Sequence, residues 1–290
     1  MTAISHPLSI PPDRPVDPAT LHILQLIDGL LRNAGISYML IGASARDLLL
    51  HHVYGRRITR ATYDIDFAIL VDSWDRFTET KNLLLRVPGF REDPKKLHRL
   101  LFQATPEAHD MMVDIIPFGG IEAKDRTIAW PPDAGIVMNM VAFHEVFDSS
   151  LALRISPGLT MQVSSLAGLA LLKLFAWLDR RDDKDVQDLR RLLETYADAG
   201  NEERLYTEVA EELERLDFDV VLAGAYLLGR DASRIARSET RNQLSAAFDS
   251  ETTSLFVKKL ARSISVHEDW TEFAESLFSA FRRGLNLDLS

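Results

Sequence analysis

Two aspartates one residue apart interrupt an apolar segment of the chain, TYDIDFAIL at positions 62–70. Side chains of a strand alternate between its two faces, so Asp64 and Asp66 would share one face while the apolar side chains enter the core. Two like charges on one face repel each other unless a cation lies between them. Mg²⁺ prefers such oxygen ligands and often takes further ones from substrate phosphates. The spacing therefore predicts either a divalent-cation site or a solvent-facing polar stripe on an edge strand.

A third carboxylate, Asp114, interrupts a second apolar segment, MVDII at positions 112–116. If the two segments are neighbouring strands, Asp114 completes a cluster of three carboxylates able to hold two cations. Two such cations stabilise both the attacking and the leaving oxygen in phosphoryl transfer. The alternative interpretation is an ion pair between Asp114 and an arginine of the adjacent strand, such as Arg99.

A turn of small residues, Gly42–Ser44, separates an apolar run from a predicted helix over 44–50. Backbone amides in such a turn can approach a phosphate closely, and a helix N-terminus attracts negative charge. Ser44 either donates its hydroxyl to a phosphate or caps the helix in an S-x-x-D capping box with Asp47. Arg46 either reaches a phosphate or pairs with a carboxylate such as Asp47.

One lysine of the C-terminal half, Lys173, stands among apolar residues three and four positions away on a predicted helix. Its ammonium group either extends to water along an apolar stem or contacts a phosphate. Further along, Asp185 and Asp188 share a helical face and are surrounded by basic residues. Exposed ion pairs, which contribute about 0–1 kcal/mol each, are the simplest interpretation of that cluster.

The order of these motifs resembles the DNA polymerase β-like nucleotidyltransferase superfamily: a strand, a small-residue turn, a helix, a strand with D-x-D, and a later strand with one aspartate. The stretch 42–50 is similar to the opening motif of the tRNA CCA-adding branch. The stretch 165–193, with LLKL at 171–174 and KDVQDL at 184–189, resembles the AbiEii-type toxins and related bacterial nucleotidyltransferases. Together these resemblances span residues 21–193.

The resemblance implies transfer of a nucleoside monophosphate from an NTP such as ATP to an acceptor hydroxyl, with release of pyrophosphate. In this interpretation Asp64 and Asp66 bind two Mg²⁺ ions, with Mn²⁺ as the alternative metal, and Asp114 holds the ion that activates the acceptor. The acceptor stays open between tRNA, a protein hydroxyl and a small molecule such as an aminoglycoside. A toxin role implies an antitoxin protein as partner.

The resemblance also implies a set of nucleotide-binding residues. The turn Gly42–Ser44 would hold the β- and γ-phosphates, and Arg46 and Lys173 would neutralise their charge. Asp188 or its neighbour Asp185 would orient Lys173. The chain departs from the family at Ala43, where glycine or serine is usual, and the extra methyl group limits how closely the backbone nears a triphosphate.

The sequence pattern changes from mixed strands and helices to helices alone, and the resemblance implies an α+β fold: a polymerase-β-like nucleotidyltransferase head with a mixed β-sheet flanked by helices, followed by an all-helical C-terminal domain. The chain of 290 residues is about twice a usual domain length, which agrees with two domains. We predict a flexible proline-rich arm over 1–20, the catalytic domain over 21–164 and the helical domain over 165–290.

Composition excludes several classes of protein. A hydrophobic fraction of 46% and a charged fraction of 26% are typical of a globular chain rather than a disordered one. The absence of cysteine excludes disulfides and thiolate chemistry and favours the cytoplasm, and no apolar run is long enough to span a membrane. The net charge of -10 argues against a broad duplex-DNA surface. The alternative function is a catalytically inactive nucleotide-binding or protein-interaction module of the same fold.

Overall fold

The computed structural model describes residues 8–57, 64–105, 108–265 and 267–287. Contacts within the chain divide it into two compact units, one formed by Met1–Met140 and Phe147–Ser165, the other by Val141–Val146 and Leu166–Ser290. The helical unit therefore takes in a short segment, 141–146, that the sequence analysis assigned to the catalytic head.

The first unit contains the strands, which in the described residues are β1 (Leu8–Ser9), β2 (Ser37–Ile41), β3 (Asp64–Leu70), β4 (Phe90–Glu92), β5 (Arg99–Phe102), β6 (Met111–Phe118), β7 (Thr127–Ala129), β8 (Val137–Asn139), β9 (Leu151–Ser156) and β10 (Leu159–Val163). Eight of them form a mixed sheet in the order β1-β9-β10-β2-β3-β6-β5-β4. β7 and β8 form a separate antiparallel pair. The mixed sheet confirms the predicted fold class of this half.

The strand with the paired aspartates, β3, lies inside the sheet. It pairs antiparallel with β2 on one side and parallel with β6 on the other. Phe67, Ala68 and Ile69 are fully buried, so both faces of its C-terminal half are covered. The alternative of a polar stripe on an edge strand is therefore wrong. Positions 62–63 of the predicted strand lie outside the described residues.

Four helices and one π-helical segment accompany these strands in chain order: α1 (Pro18–Asn33), α2 (Gly42–Asp47), the π-helical segment Leu48–Val53, α3 (Trp74–Leu85) and α4 (Phe143–Asp148), which spans the division between the units. Asp17 caps α1 by accepting hydrogen bonds from the amides of Ala19 and Thr20 at 3.1 and 3.0 Å. The apolar stripe of α1, which includes Ile23 and Ile27, is buried. Capping and burial together explain why this segment forms a helix.

The described part of the predicted N-terminal arm is ordered, which corrects the expectation of a flexible segment up to residue 20. Leu8–Ser9 pairs in parallel with β9, and Val16 is buried. The fixed φ of proline suits the first turn of a helix, and Pro18 stands at the start of α1 behind its Asp17 cap. Proline content was thus misleading for residues 8–20, and residues 1–7 lie outside the described residues.

The predicted capping box after the small-residue turn is also wrong. Helix α2 begins at Gly42, two residues before the predicted start at Ser44, because Gly42 adopts φ +68° and turns the chain directly from β2 into the helix. The Ser44 hydroxyl donates to the carbonyl oxygen of Ile41 at 3.3 Å instead of capping a later start. Asp47 pairs with Arg46.

The described residues of the second unit form helices joined by turns and loops, with no strand among them: α5 (Leu166–Arg180), α6 (Asp183–Thr195), α7 (Glu202–Thr207), α8 (Ala210–Arg215), α9 (Val220–Ile235), α10 (Ser238–Ala247), α11 (Ser250–Ile264) and α12 (Thr271–Gly284). Its core is rich in aromatic side chains, among them Trp177, Phe256 and Phe278, all nearly inaccessible to solvent. Within the described ranges, every helix falls short of the length or the hydrophobicity that crossing a bilayer requires. The all-helical C-terminal half agrees with the predicted fold class.

Candidate active site

Strand register places the candidate residues of the first unit in one row across the sheet. Asp66 of β3 is the Cα partner of Ile41 in β2 and of Asp114 in β6. Asp114 is in turn the partner of Arg99 in β5. The row therefore runs Ile41, Asp66, Asp114, Arg99 over four adjacent strands, and Asp64 lies one strand pleat from Asp66 on the same face.

The small-residue turn packs directly against the first carboxylate of this row. A Cβ atom added to Gly42 would stand 2.1 Å from Oδ2 of Asp66, far inside van der Waals contact. The hydroxyl oxygen of Ser44 lies 3.5 Å from the backbone nitrogen of Asp66. Glycine at position 42 is thus required twice, by its positive φ and by the approach of the Asp66 carboxylate.

The second carboxylate of the row, Asp114, is buried and ion-paired. Arg99 donates from Nε to Oδ1 of Asp114 at 2.5 Å and from Nη2 to Oδ2 at 2.7 Å. The same Nη2 lies 3.5 Å from Oδ2 of Asp64. The hydrogen bonds to Asp114 raise the pKa of the Arg99 guanidinium above its already high ordinary value, so it stays charged.

The arginine alternative of the sequence analysis therefore describes Asp114 in this structure. Aspartate oxygens are suitable donors for a hard divalent cation, and the register gathers three such groups on one face. Among the residues that the structure describes, however, no three acidic or histidine side chains form a ready-made metal site. Both oxygens of Asp114 accept hydrogen bonds from Arg99 in this structure. The carboxylate oxygens are suitable ligands for a divalent cation when the guanidinium of Arg99 no longer pairs with Asp114.

His98 is a neighbour of Asp114 that the sequence analysis did not single out. Its Nε2 lies 3.8 Å from Oδ2 of Asp114, and its ring packs near Trp130 with centroids 5.6 Å apart. Burial lowers the pKa of His98 below its ordinary value. The pairing of β5 with β6 brings His98 beside Asp114, and the two apolar runs on either side of Pro106 are the signal in the sequence.

Arg46 forms the pair with Asp47 that the sequence analysis gave as one of its two alternatives. Its guanidinium is buried and contacts Oδ1 of Asp47, with Nε at 2.9 Å and Nη2 at 2.8 Å. A phosphate contact would require this pair to separate. Ala43 lies half-buried in the first turn of α2, between Gly42 and Ser44.

In the helical unit, Lys173 meets the two aspartates of α6. Its Nζ lies 2.6 Å from Oδ2 of Asp188 and 3.2 Å from Oδ1 of Asp185. Asp185 is fully buried and also accepts two hydrogen bonds from Arg180, at 2.7 and 2.6 Å. The cluster is therefore a largely desolvated ion-pair network around Asp185, rather than a set of exposed surface pairs.

The comparison with known families defines the class of protein that carries this site, a nucleotidyltransferase. Residues 39–283 match the family model described as "Nucleotidyl transferase AbiEii toxin, Type IV TA system". Because this match spans most of the chain, the protein belongs to the AbiEii nucleotidyltransferase toxin family. No curated protein sequence matches it.

Several solved structures share a distant likeness with the chain. An antigenic nucleotidyltransferase-like protein from Paracoccidioides brasiliensis is 17% identical, with a TM-score of 0.39 over 75% of this chain and 95% of that one. The antibiotic-resistance factor ANT(2'')-Ia is 12% identical, with a TM-score of 0.35 over 70% of this chain and 98% of that one. A CCA-adding enzyme in complex with ATP is 15% identical, with a TM-score of 0.33 over 94% and 68%. Likenesses this distant identify no substrate.

Proposed function

We propose that the protein transfers a nucleoside monophosphate from an NTP to an acceptor hydroxyl in a reaction that depends on divalent metal. The observation that supports this most strongly is the row of carboxylates beside the glycine turn, Asp66 and Asp114 in register with Gly42 against Asp66. Buried or crowded carboxylates cost stability in an inert scaffold, so their placement favours a bound cation.

In this proposal Asp64, Asp66 and Asp114 hold Mg²⁺, or Mn²⁺ in its place. The cation, when bound, offsets negative charge on the triphosphate and on the acceptor oxygen. The acceptor oxygen attacks the α-phosphorus, the bond to the β-phosphate oxygen breaks, and pyrophosphate leaves. Asp114 accepts the acceptor proton. Most of the rate enhancement then comes from positioning and electrostatics.

The nucleotide is held, in the same proposal, by the turn Gly42–Ser44. The first amides of a helix have no acceptor within the helix and are free to bind phosphate oxygens. The Asp66 carboxylate already packs against the Gly42 backbone, which supports a close approach of backbone and ligand at this turn. In the helical unit, Asp188 orients the ammonium group of Lys173.

We further propose that the protein is the toxin of a type IV toxin–antitoxin pair, acts in the cytoplasm and has an antitoxin partner. The family description supports this role. The acceptor is a tRNA, a protein hydroxyl or a small molecule.

The experiment is nucleotide transfer with NTPs labelled at the α-phosphate, offered with Mg²⁺ to total tRNA, to cell-extract protein and to aminoglycosides. The expected result is label on one acceptor class with the α-label and none with a γ-label, because the γ-phosphate leaves with pyrophosphate. Asp66→Asn should lower this transfer at least about 100-fold. Asp110→Asn removes an exposed carboxylate just before β6 and should leave transfer unchanged. Equal transfer by Asp66→Asn and the wild type would overturn the proposal.

One observation favours a second candidate, an inactive nucleotide-binding or protein-interaction module. Arg99 satisfies both oxygens of Asp114, and such a pair stabilises a buried carboxylate without any metal. The inactive module would transfer no label to any acceptor and would bind NTP equally with and without Mg²⁺.

A further inference from the structure

We propose that Arg99 competes with the divalent cation for Asp114, so that Asp114 binds the metal only when the guanidinium of Arg99 is displaced. This inference rests on the proposed function and adds a residue to it. It starts from the row across the sheet, in which Arg99 follows Asp66 and Asp114 in register on neighbouring strands. Backbone pairing therefore places Arg99 next to Asp114, at the end of the row of four residues.

The contacts of Arg99 are those expected of a positively charged side chain that takes the place of a metal ion. Its guanidinium binds both oxygens of Asp114 and lies near Asp64 as well. The side chains of Arg99 and Asp114 are only 11% and 10% exposed, whereas that of Asp64 is 39% exposed. A carboxylate as buried as Asp114 is costly when charged unless a positive partner or hydrogen-bond donors stabilise it. Arg99 is that partner in this structure.

Metal binding by Asp114 must therefore break or share the bidentate pair. A guanidinium and a divalent cation on the same carboxylate repel each other, so the two compete. The consequence is a weak affinity for metal alone. Metal that arrives with the triphosphate brings further ligands, and those offset the loss of the Arg99 pair.

The test is Mn²⁺ binding to the full-length protein without nucleotide, measured by the electron paramagnetic resonance signal of free Mn²⁺. Arg99→Met should bind Mn²⁺ about tenfold or more tightly than the wild type, because the competitor is gone. In an Asp114→Asn background the same substitution should gain less than about threefold, since the contested ligand is missing. Arg91→Met is the matched control, because Arg91 pairs with Asp110 on the same sheet, outside the row. It should leave the affinity unchanged.

Arg99→Gln provides a second variant, since it keeps a hydrogen-bond donor for Asp114 and removes the charge. Thermal unfolding with and without Mn²⁺ checks both: the metal should raise the melting temperature of each Arg99 variant more than that of the wild type. Unchanged or weaker Mn²⁺ affinity in folded Arg99→Met and Arg99→Gln would overturn the role of Arg99, while transfer by the wild type would keep the proposed function intact. Absence of both Mn²⁺ binding and nucleotide transfer in every form would instead overturn the proposed function.

Discussion

At the scale of single residues, the contact between Gly42 and Asp66 links the phosphate-binding turn to the carboxylate row. A methyl group on Gly42 would overlap the Asp66 side chain, so the conformations of the turn and of Asp66 are coupled. The residue types at this place were evident from the sequence. The contact itself was not, because it depends on the register that sets Ile41 opposite Asp66.

We predict that Gly42→Ala lowers the rate of nucleotide transfer by about 100-fold or more, because the new methyl group displaces the Asp66 carboxylate. Gly35→Ala is the matched control. Gly35 has φ +66°, close to the +68° of Gly42, but a Cβ atom added to Gly35 would meet nothing within 4 Å. Both variants should lose a similar amount of stability through backbone strain, about 1–2 kcal/mol. Equal activity in the two variants would contradict the role given to Gly42.

At the scale of elements, the sequence predicted the site-bearing strands better than the segments that connect them. Alternating and continuous apolar runs identified β3 and β6, since burial determines such patterns. The capping box failed because Gly42 starts α2 early, and local statistics do not contain the geometry of the preceding strand. The choice between metal and arginine for Asp114 stayed open, because it requires the pairing of β5 with β6.

The junction of α5 and α6 leads to a prediction on stability. Asp185→Asn should lower the free energy of unfolding by about 1.5–3 kcal/mol, because it removes the buried charged acceptor of the hydrogen bonds from Lys173 and Arg180, while Lys173 keeps its contact with Asp188. Asp188→Asn, which removes a partly exposed carboxylate, should cost less than about 1 kcal/mol. Chemical denaturation of the two variants checks this. Similar losses in both would contradict the central place of Asp185 in the network.

The ion pair between Arg204 of α7 and Glu208, just after that helix, leads to a prediction on pH. Hydrogen bonding from Arg204, at 2.7 Å, lowers the pKa of Glu208 from 4.5 to about 2. A lowered folded-state pKa means that the stabilisation is complete above about pH 4.5 and disappears as the pH falls through 2. Because the side chain is 34% exposed, solvent limits the effect to about 1 kcal/mol.

Glu208→Gln should therefore be less stable than the wild type at pH 7 and approach it as the pH falls through about 2, as measured by denaturant unfolding across this range. Glu203→Gln, an exposed glutamate of the same helix, is the control and should follow the wild type at each pH. A stability difference for Glu208→Gln that persists at the acid end would contradict the electrostatic origin.

At the scale of the whole molecule, the two-part organisation follows from a change in sequence character near residue 165, where strand signals stop. That change reflects two separate cores, one built on the mixed sheet and one on packed aromatic side chains of the helices. The sequence does not predict that residues 141–146 belong to the helical unit, because a short apolar segment is compatible with either core. The ordering of residues 8–20 was missed for a similar reason, since their contacts are with segments distant in the chain.

The central claim is that the carboxylate row and the glycine turn together bind an NTP through divalent metal. The most direct measurement is calorimetric titration of a non-hydrolysable NTP into the wild type and Asp66→Asn, each with and without Mg²⁺. We expect tight binding by the wild type with Mg²⁺, at least about tenfold weaker binding without it, and no gain from Mg²⁺ in Asp66→Asn. Nucleotide affinity in the wild type that is the same with and without the metal would contradict the account.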